Sequence, residues 1–323
     1  MTREAASAGT SRREPRTAAR PLGVPAGAAA KRRRFLAPQG YTWVLPALIL
    51  SVGLIYYCIG YTGYISTLDW NGTAPDPASV GLANYAKLFA DPVFWMAIQH
   101  TLLFFVVTFV AQTVLGIVFA AMLHSKPWFG VGYKVILFVP VVLAPAITAP
   151  VFRQMFSNDG QFNWLLHHVG LGFLAQPWLA QPSTALWVIM SITIWQWTGM
   201  TMILYFAAMS QIEPEILEAA EMDGAGNLRK LVSIIWPGVR GTTIALATLS
   251  AIGSLKTFDI PYLVTVGGPN FATEFLGTMI YRTSIPLGQV GYGAALSVTL
   301  VVIALVMGIL LNVRRREKKE ATR

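Results

Sequence analysis

The sequence predicts an all-α, polytopic membrane protein with six transmembrane helices. Three observations predict this class: the composition, six long apolar runs and the uneven placement of basic residues. Of the 323 residues, 54% are hydrophobic and 12% are charged, whereas soluble domains carry about a quarter charged residues. A membrane helix needs about 20 mostly apolar residues. The runs that meet this need are Trp43–Ile65, Thr101–Leu123, Val135–Phe156, Ala185–Ala207, Thr243–Val264 and Ala294–Val313.

The chain before the first span is rich in Ala, Arg, Gly and Pro and shows no apolar periodicity. We interpret residues 1–40 as a disordered, basic cytoplasmic tail. The apolar run that follows is longer than the core of a signal peptide, which favours a retained anchor. A transmembrane domain at residues 41–313 then follows, with a second basic tail at residues 314–323.

Two segments between spans predict short helices at the membrane surface. Residues 80–101 carry Leu82, Tyr85, Leu88 and Phe89 at helical spacing before the second span. Residues 161–172, "QFNWLLHHVGLG", follow the third span. Both segments can cap the bundle at the headgroup level, where Trp and Tyr are favoured, or can form a docking surface for an external partner. The sequence favours the first interpretation.

Proline and glycine content distinguishes the later spans. The third span is predicted to be broken by Pro140, Pro145 and Pro150, and neighbouring helices can satisfy the backbone groups that these prolines free. The fifth span is the least hydrophobic of the six. The apolar composition of the spans predicts that membrane lipid surrounds the protein and that the protein does not bind nucleic acid.

The basic residues predict the orientation, because Lys and Arg concentrate in cytoplasmic segments. The two tails and the loops after the second and fourth spans hold twenty of the twenty-four. The other four are Lys87, Arg153, Lys256 and Arg282. Both termini are therefore predicted to be cytoplasmic, together with the loop between the fourth and fifth spans.

That loop contains an acidic stretch in an otherwise apolar chain. Five of the fifteen acidic residues lie between Glu213 and Asp223. Pro214 suits the first turn of a helix, and acidic residues near that end are favoured by the helix dipole. Gly224 can adopt the left-handed conformation that ends a helix, and Pro237 interrupts the helical run that follows. The stretch predicts a helix, a sharp turn and a second helix.

The first of these helices has barely two turns and needs packing to be stable. Two interpretations stay open on these grounds. It is either an amphipathic cover for the helix ends or a short helix that inserts into a groove of a cytoplasmic partner.

The spacing of this loop resembles a known signature. Glu218-Ala219-Ala220 is followed after three residues by Gly224, after nine more by Ile234, and then by Trp236-Pro237. This is similar to the EAA loop of binding-protein-dependent ABC importer permeases, EAA-x3-G-x9-I-x-L-P, with Trp236 where Leu is usual. We expect that substitution to alter local packing and not function.

The resemblance covers Trp43 to Val313, with the family core at about 97–312 and the EAA loop at 211–240. "GLANYAKLFADPVFWMAIQHT", "LKTFDIPYLVTVGGPNFAT" and "GYGAALS" resemble segments of the carbohydrate-type permeases. It therefore implies the type I ABC importer permease fold in a bacterial cell membrane. The implied solute is a sugar or oligosaccharide, with glycerol phosphate or another small polar solute as the alternative.

The resemblance also implies the partners. These are a second permease subunit of different sequence, two ATPase subunits that carry ATP and Mg²⁺, and an extracytoplasmic solute-binding protein. ATPase closure would act on the helix Glu215–Met222 and switch the membrane cavity between its two openings. The implied ATPase-coupling residues are Glu215, Glu218, Ala219, Ala220, Asp223, Gly224, Ile234 and Pro237.

This chain is not expected to be an enzyme or to hold a cofactor or metal. The phosphate-cradling motif G-x-x-x-x-G-K-[ST] is absent from the sequence. No Cys/His cluster has the spacing of a metal site. ATP hydrolysis is therefore expected on a separate subunit.

Polar residues inside the spans are candidates for the substrate path or for a subunit interface. Lys256 and Asp259 lie three apart, and on one helix they would share a face and could neutralise each other. Gln112 and Gln196 are costly in lipid unless they are hydrogen-bonded. Trp197 offers an aromatic face to a sugar, and Trp195, two residues away, cannot share its helix face. Interhelical hydrogen bonds and packing are the simpler roles for these residues.

Other classes fit less well. A six-span channel would need a ring of lining charges or a carbonyl filter, and the sequence contains no filter-like segment. An intramembrane enzyme would need a nucleophile and a base, or a metal site, at depth. A secondary carrier usually has twice as many spans in two repeats, and it would work without an ATPase.

Overall fold

The computed structural model describes residues 38–124 and 129–320. Residues 1–37 of the tail predicted at residues 1–40, Lys126 and residues 321–323 lie outside the described residues. Residues 38–40, predicted as the end of that tail, are instead the start of a helix. The chain falls into two units, Met1–Leu54 and Ile55–Arg323. The first helix, α1 (Pro38–Ile65), contains residues of both units. The helices and strands that follow it all belong to the second unit. In chain order they are β1 (Leu68–Asp69), β2 (Ala78–Ser79), α2 (Ala83–Ala90), α3 (Pro92–His124), α4 (Gly130–Val142), α5 (Pro145–Met155), α6 (Gln161–His168), α7 (Pro182–Met209), α8 (Pro214–Met222), α9 (Asn227–Gly238), α10 (Arg240–Leu255), α11 (Asp259–Thr265), α12 (Leu276–Ser284) and α13 (Val290–Glu320).

The predicted all-helical class is confirmed, with one small addition. The strands β1 and β2 form a two-stranded antiparallel ribbon in which Leu68 pairs with Ser79. Asn84 of α2 donates hydrogen bonds to the carbonyl oxygens of Ser66 and Leu68, at 2.9 Å each, and so ties α2 to this ribbon. The predicted short helices before the second span and after the third are present as α2 and α6.

The number of apolar segments agrees with six spans. Four helices are long and apolar enough to cross a membrane on their own, and two bent helix pairs qualify if each pair is one span. The single helices are Trp43–Ile65, Pro92–His124, Pro182–Met209 and Val290–Ile309. The protein is therefore an integral membrane protein.

The third span is broken, as its prolines indicated. The helices α4 and α5 meet at an angle of 96°. Pro145 occupies the first position of α5, and Ala144 before it is extended (φ −65°, ψ 140°), since a residue preceding proline disfavours the helical conformation. Pro140 and Pro150 lie inside α4 and α5, so Pro145 alone marks the break.

The prediction of one continuous fifth span, Thr243–Val264, is wrong. The helix α10 ends at Leu255, and α11 starts anew at Asp259. Phe258 between them has φ −143° and ψ −53°, which no helix accommodates. Pro261 falls in the first turn of α11, where a missing N–H leaves no hydrogen bond broken.

The helix α7 forms the centre of the second unit. Glycines allow close approach on two of its sides: a Cβ at Gly199 would meet the Leu137 carbonyl of α4, and one at Gly116 of α3 would meet Thr201. Buried apolar residues form three clusters along the bundle. One of them joins α3, α7, α9 and α10 and includes Tyr205 and Leu246; we call it the α7 cluster.

Candidate functional site

The signature loop, residues 211–240, is largely exposed. Its first helix, α8, begins with Glu213 as N-cap and Pro214 as its first residue, and none of its residues is buried. Leu217 packs against the α7 cluster and holds α8 to the bundle. The opposite face points away from the protein, and it consists of Glu215, Glu218, Ala219 and Met222.

The two alanines of the signature therefore differ in environment. Ala219 is exposed and Ala220 is half-buried. The resemblance implied an ATPase-coupling role for both. In the structure, only Ala219 belongs to the exposed face that a partner can reach.

Gly224 ends α8 in the way that the sequence predicts. Its φ is +74°, in the left-handed region. Its N–H donates to the Glu221 carbonyl at 3.0 Å, and the N–H of Ala225 donates to the Ala220 carbonyl at 2.9 Å. These two bonds form a Schellman motif, with Asp223 as the exposed C-cap residue.

An ion pair fixes the two arms of the turn. Lys230 Nζ lies 2.6 Å from Glu221 Oε1. The Lys230 side chain is mostly buried, whereas that of Glu221 is mostly exposed. The pair connects the end of α8 with the first turn of α9 across the Gly224 turn.

The rest of the signature lies in α9, which has an unpredicted irregularity. Residues Leu231–Ile235 form a π-helical turn within it. Ile234 is half-buried there, and its neighbour Ile235 is buried in the α7 cluster. Pro237 lies in the last turn, before a bend of 68° between α9 and α10. Trp236, at the position where the signature usually has leucine, is 46% exposed.

A cavity of about 720 Å³ lies where the two broken helices face each other. Leu143, Ala144 and Pro145 line it from the break between α4 and α5, and residues 256–259 line it from the break between α10 and α11. Irregular backbone at membrane depth occurs only within protein or along an aqueous cavity. All five residues that the sequence proposed for a path or interface line this cavity: Gln112, Gln196, Trp197, Lys256 and Asp259.

The two glutamines hold the cavity wall together. Gln196 Nε2 donates to the Leu143 carbonyl at 3.0 Å, one of the groups that the helix break exposes. Gln112 Nε2 donates to the Thr193 carbonyl at 3.1 Å. These are the interhelical bonds expected from the sequence. Within the described residues, nothing donates to either amide oxygen.

Lys256 and Asp259 do not form the predicted pair. Lys256 caps the C-terminus of α10, and Asp259 opens α11, so the two residues lie on different helices. Both are exposed, and the ion pairs of the described residues do not include either of them. The helix dipole favours a cation at a C-terminus and an anion at an N-terminus. Each charge is therefore stabilised by its own helix end and stays free to face the cavity.

Aromatic and hydroxyl groups complete the lining. Trp197 faces the cavity, whereas Trp195 contacts the edge of Phe152, with ring centroids 5.0 Å apart. Sequence reasoning missed the contributions of α10 and of the break that follows it: Ser250, Ser254, Thr257 and Phe258. The available signal was the low hydrophobicity of the fifth span.

Contiguous packing connects α8 with the cavity. Ile212 and Leu217 pack on the α7 cluster. Leu246 belongs to that cluster and also lines the cavity. A displacement of α8 can therefore reach the cavity wall through packed side chains, which transmit strain because protein interiors are dense.

A second charged pair, which the sequence did not reveal, lies after α11. The Glu274 side chain is 1% exposed, and its Oε1 lies 3.4 Å from Arg282 Nε. Burial raises the pKa of the Glu274 carboxyl, and the guanidinium partly opposes that rise. His100 Nδ1 donates to the Glu274 carbonyl at 3.0 Å, and Arg282 also stacks over Phe271 at 4.8 Å. Residues 266–285 are thus fastened to α3 and to each other.

Comparison with known proteins identifies relatives that match most of the chain. Residues 92–319 match the family described as binding-protein-dependent transport system inner membrane component. The lactose transport system permease protein of Rhizobium radiobacter is 31% identical over 300 residues, covering 89% of this chain and 97% of the relative. The xylose/arabinose import permease protein of Haloferax volcanii is 30% identical over 266 residues, covering 81% and 83%.

The fold is also similar to a solved structure. A chain of a bacterial alginate ABC transporter, in complex with a periplasmic protein that binds an alginate pentasaccharide, superposes with a TM-score of 0.72. The two sequences are 22% identical, and the match covers 88% of this chain and 98% of the other. The likeness confirms the ABC importer permease fold that the sequence predicted.

Proposed function

The chain belongs to the family of binding-protein-dependent transport system inner membrane components, and we propose that it is the permease subunit of an ATP-driven sugar importer. The observation that carries the proposal is the signature loop. It presents α8 as an exposed helix, ends it at Gly224 in the left-handed conformation, and anchors it to the bundle through Leu217. A short helix exposed on one face and packed on the other suits insertion into a groove of a partner.

The placement of charge supports a cytoplasmic position for this loop. The loop contains Arg229, Lys230 and Arg240, and the two tails contain fifteen further basic residues. Basic residues favour the cytoplasmic side. We therefore place α8 and both termini in the cytoplasm of a bacterial cell, where ATPase subunits can bind.

The partners follow from the same assignment. Two ATPase subunits carry ATP and Mg²⁺, since the chain has no phosphate-binding loop of its own. A second permease subunit, of different sequence, completes the pathway. The related alginate transporter forms a complex with a periplasmic binding protein, which supports an extracytoplasmic solute-binding protein as a further partner here.

The geometry gives a mechanism of coupling. When the ATPase subunits close on ATP, they move α8 as a rigid element. The Schellman turn and the Glu221–Lys230 pair keep α8 and α9 together, and Leu217 transmits the movement to the α7 cluster. Leu246 then moves with the cavity wall. Packed elements with two alternative arrangements switch between states in this way.

The cavity supports a carbohydrate as the solute. It offers amide oxygens, hydroxyl groups and one lysine and one aspartate as hydrogen-bonding groups, beside the aromatic face of Trp197. Sugars present hydroxyl groups and apolar C–H faces, which this combination matches. The related permeases act in lactose and in xylose/arabinose transport.

Uptake measurements in whole cells test the proposal. We expect uptake of the solute to need the cognate ATPase and to fall at least about tenfold in Gly224→Val and Glu218→Lys, a loss that corresponds to a coupling free energy of typical size. Gly241→Ala is the matched control, because a Cβ there meets nothing within 4 Å. Membrane levels of each variant are measured in parallel. Uptake unchanged in both loop variants, with the protein inserted, contradicts the proposal.

A further inference from the structure

The helix α9 has an orientation that its place in the signature does not explain. It makes an angle of 68° with α10, which forms most of the predicted fifth span. If α10 runs close to the membrane normal, as part of the predicted fifth span, this angle brings α9 closer to the membrane plane than to the normal. The C-terminal end of α9 meets α10 at Arg240, where that helix begins.

The side of α9 that faces away from the protein is apolar. Leu228, Val232 and Trp236 follow each other at four-residue intervals and are 75%, 59% and 46% exposed. The opposite side packs on the α7 cluster through Leu231 and Ile235. Large apolar side chains left in water are unfavourable relative to burial. This exposed side requires an apolar environment.

The charge on this side has one sign. Residues 227–240 contain three basic residues and no acidic one. Lys230 is paired with Glu221, whereas Arg229 and Arg240 are exposed and belong to neither ion pair found among the described residues. Apolar side chains with arginines beside them are typical of helices that lie in the interface of an anionic membrane.

The faces of α8 and α9 are therefore suited to different surfaces. The exposed face of α8 carries Glu215 and Glu218, whereas α9 carries the exposed Arg229 and is followed by the exposed Arg240 at the start of α10. A single protein groove that binds both faces would need a basic part opposite α8 and an acidic part opposite α9, on either side of Gly224. A lipid surface with acidic headgroups complements only the α9 side.

We propose that the exposed side of α9, formed by Leu228, Arg229, Val232 and Trp236, together with Arg240 at the start of α10, binds the headgroup region of the membrane and selects anionic phospholipids. The apolar side chains enter the boundary between headgroups and acyl chains, where Trp is favoured. The two arginines bind the lipid phosphates, with which guanidinium groups make paired hydrogen bonds. The helix then anchors the second arm of the signature loop while α8 moves.

Fluorescence quenching tests this contact. The single cysteine, Cys58, is replaced by serine, and Val232→Cys is labelled with a small fluorophore. The full chain is reconstituted in phosphatidylcholine vesicles that contain brominated phosphatidylcholine or, at the same mole fraction, brominated phosphatidylglycerol. Met222→Cys, 89% exposed on α8, is the matched label on the other arm of the turn.

We expect brominated lipid to quench the label at 232 and not the label at 222. Brominated phosphatidylglycerol should associate more strongly than brominated phosphatidylcholine, by about fivefold for each arginine that reaches a headgroup. The double variant Arg229→Gln/Arg240→Gln should lose this preference and keep the quenching itself.

Two results with the chain alone, and a third with the ATPase subunit present, would overturn the inference. One is a label at 232 that neither lipid quenches, and the other is equal quenching by both lipids, with the arginines present or replaced. Loss of quenching when the ATPase subunit is added would assign this side to a protein partner and would also overturn it. The measurement needs no ATP and no solute, so it is independent of the proposed transport function.

Discussion

Two connections flank the broken fifth span, and they differ in whether their charged residues are exposed or paired. The signature loop, residues 211–240, contains eight charged residues, and within the described residues only Glu221 and Lys230 form an ion pair. Residues 266–285 contain two charged residues, Glu274 and Arg282, and these pair with each other in a buried site. Most charged side chains of the first connection are exposed to solvent, whereas the two of the second connection pair with each other.

The difference indicates where a partner is missing from an isolated chain. A buried carboxylate must find its counterion within the protein, because an unpaired charge in a dry environment is very costly. An exposed charge carries no such requirement and can serve a binding surface. Residues 266–285 are therefore expected to determine stability, and the signature loop to determine coupling.

The largest effect on stability is expected from Arg282→Met. Removal of the guanidinium leaves the buried Glu274 carboxylate without its counterion, which should lower the free energy of unfolding by about 3 kcal/mol. Thermal unfolding of the purified protein in detergent measures this loss. Arg153→Met removes an exposed arginine with no ion pair among the described residues and should have little effect. Equal losses of stability in Arg282→Met and Arg153→Met would contradict a special role for the buried pair.

Glycine substitutions give a matched pair for the two connections. Gly224 and Gly267 both have positive φ, +74° and +83°. A Cβ at Gly224 meets nothing within 4 Å, whereas one at Gly267 collides with the Glu274 carboxylate. Gly224→Ala should therefore cost about 1 kcal/mol of backbone strain, and Gly267→Ala about 2 to 3 kcal/mol through strain and overpacking.

The same unfolding assay, with uptake measured beside it, separates the two glycines. Gly267→Ala should lose stability more than it loses activity per inserted molecule. Gly224→Ala should show the reverse order. A larger stability loss at Gly224 would mean that the signature loop, and not residues 266–285, is the structural one.

The stability should depend on pH through Glu274. Burial raises the pKa of this carboxyl in the folded protein above its value in the unfolded chain. The folded state then binds the proton more tightly, so stability is greatest below the unfolded pKa and falls as pH rises through the folded pKa. Glu274→Gln should remove this part of the pH dependence. A stability that increases with pH over this window, and does so only when Glu274 is present, would contradict the assignment.

The smallest effect is expected at the Glu221–Lys230 pair. Because Glu221 is exposed, Glu221→Lys should cost only about 0.5 kcal/mol, whereas Lys230→Glu changes a mostly buried side chain and should cost more. Hydrogen exchange at the α8 amides should increase in Glu221→Lys and in Lys230→Glu, and should return towards the original rate in the double variant. Exchange that does not recover would mean that the pair does not hold the two arms of the turn together.

The features that could be predicted from the sequence are those that single residues or short segments determine. Pro214 and Gly224 set the ends of α8 by their own backbone preferences, so the helix and its turn could be predicted from sequence. Pro145 indicated the break between α4 and α5 for the same reason. Six spans followed from hydropathy, because lipid imposes length and composition directly.

The remaining features depend on contacts distant in sequence. The break at residues 256–258 contains no proline or glycine, and Pro261 suits either a kinked helix or a new one. Glu274 and Arg282 are eight residues apart in a connection that the sequence predicts to be external, and only the packing around α3 and α12 buries their contact. The convergence of Gln112, Gln196 and Lys256 on one cavity likewise requires the tertiary fold.

The central claim is that the exposed face of α8, and not residues 266–285, binds the ATPase, and photo-crosslinking in the assembled complex tests it most directly. In a Cys58→Ser background, a cysteine at Met222 or at Ala219 carries a photoreactive group, and Ile285→Cys, 66% exposed at the end of α12, is the comparison. We predict adducts with the ATPase subunit from positions 222 and 219 and none from 285. Adducts from 285 alone, or from none of the three positions in a complex that hydrolyses ATP, would contradict the account.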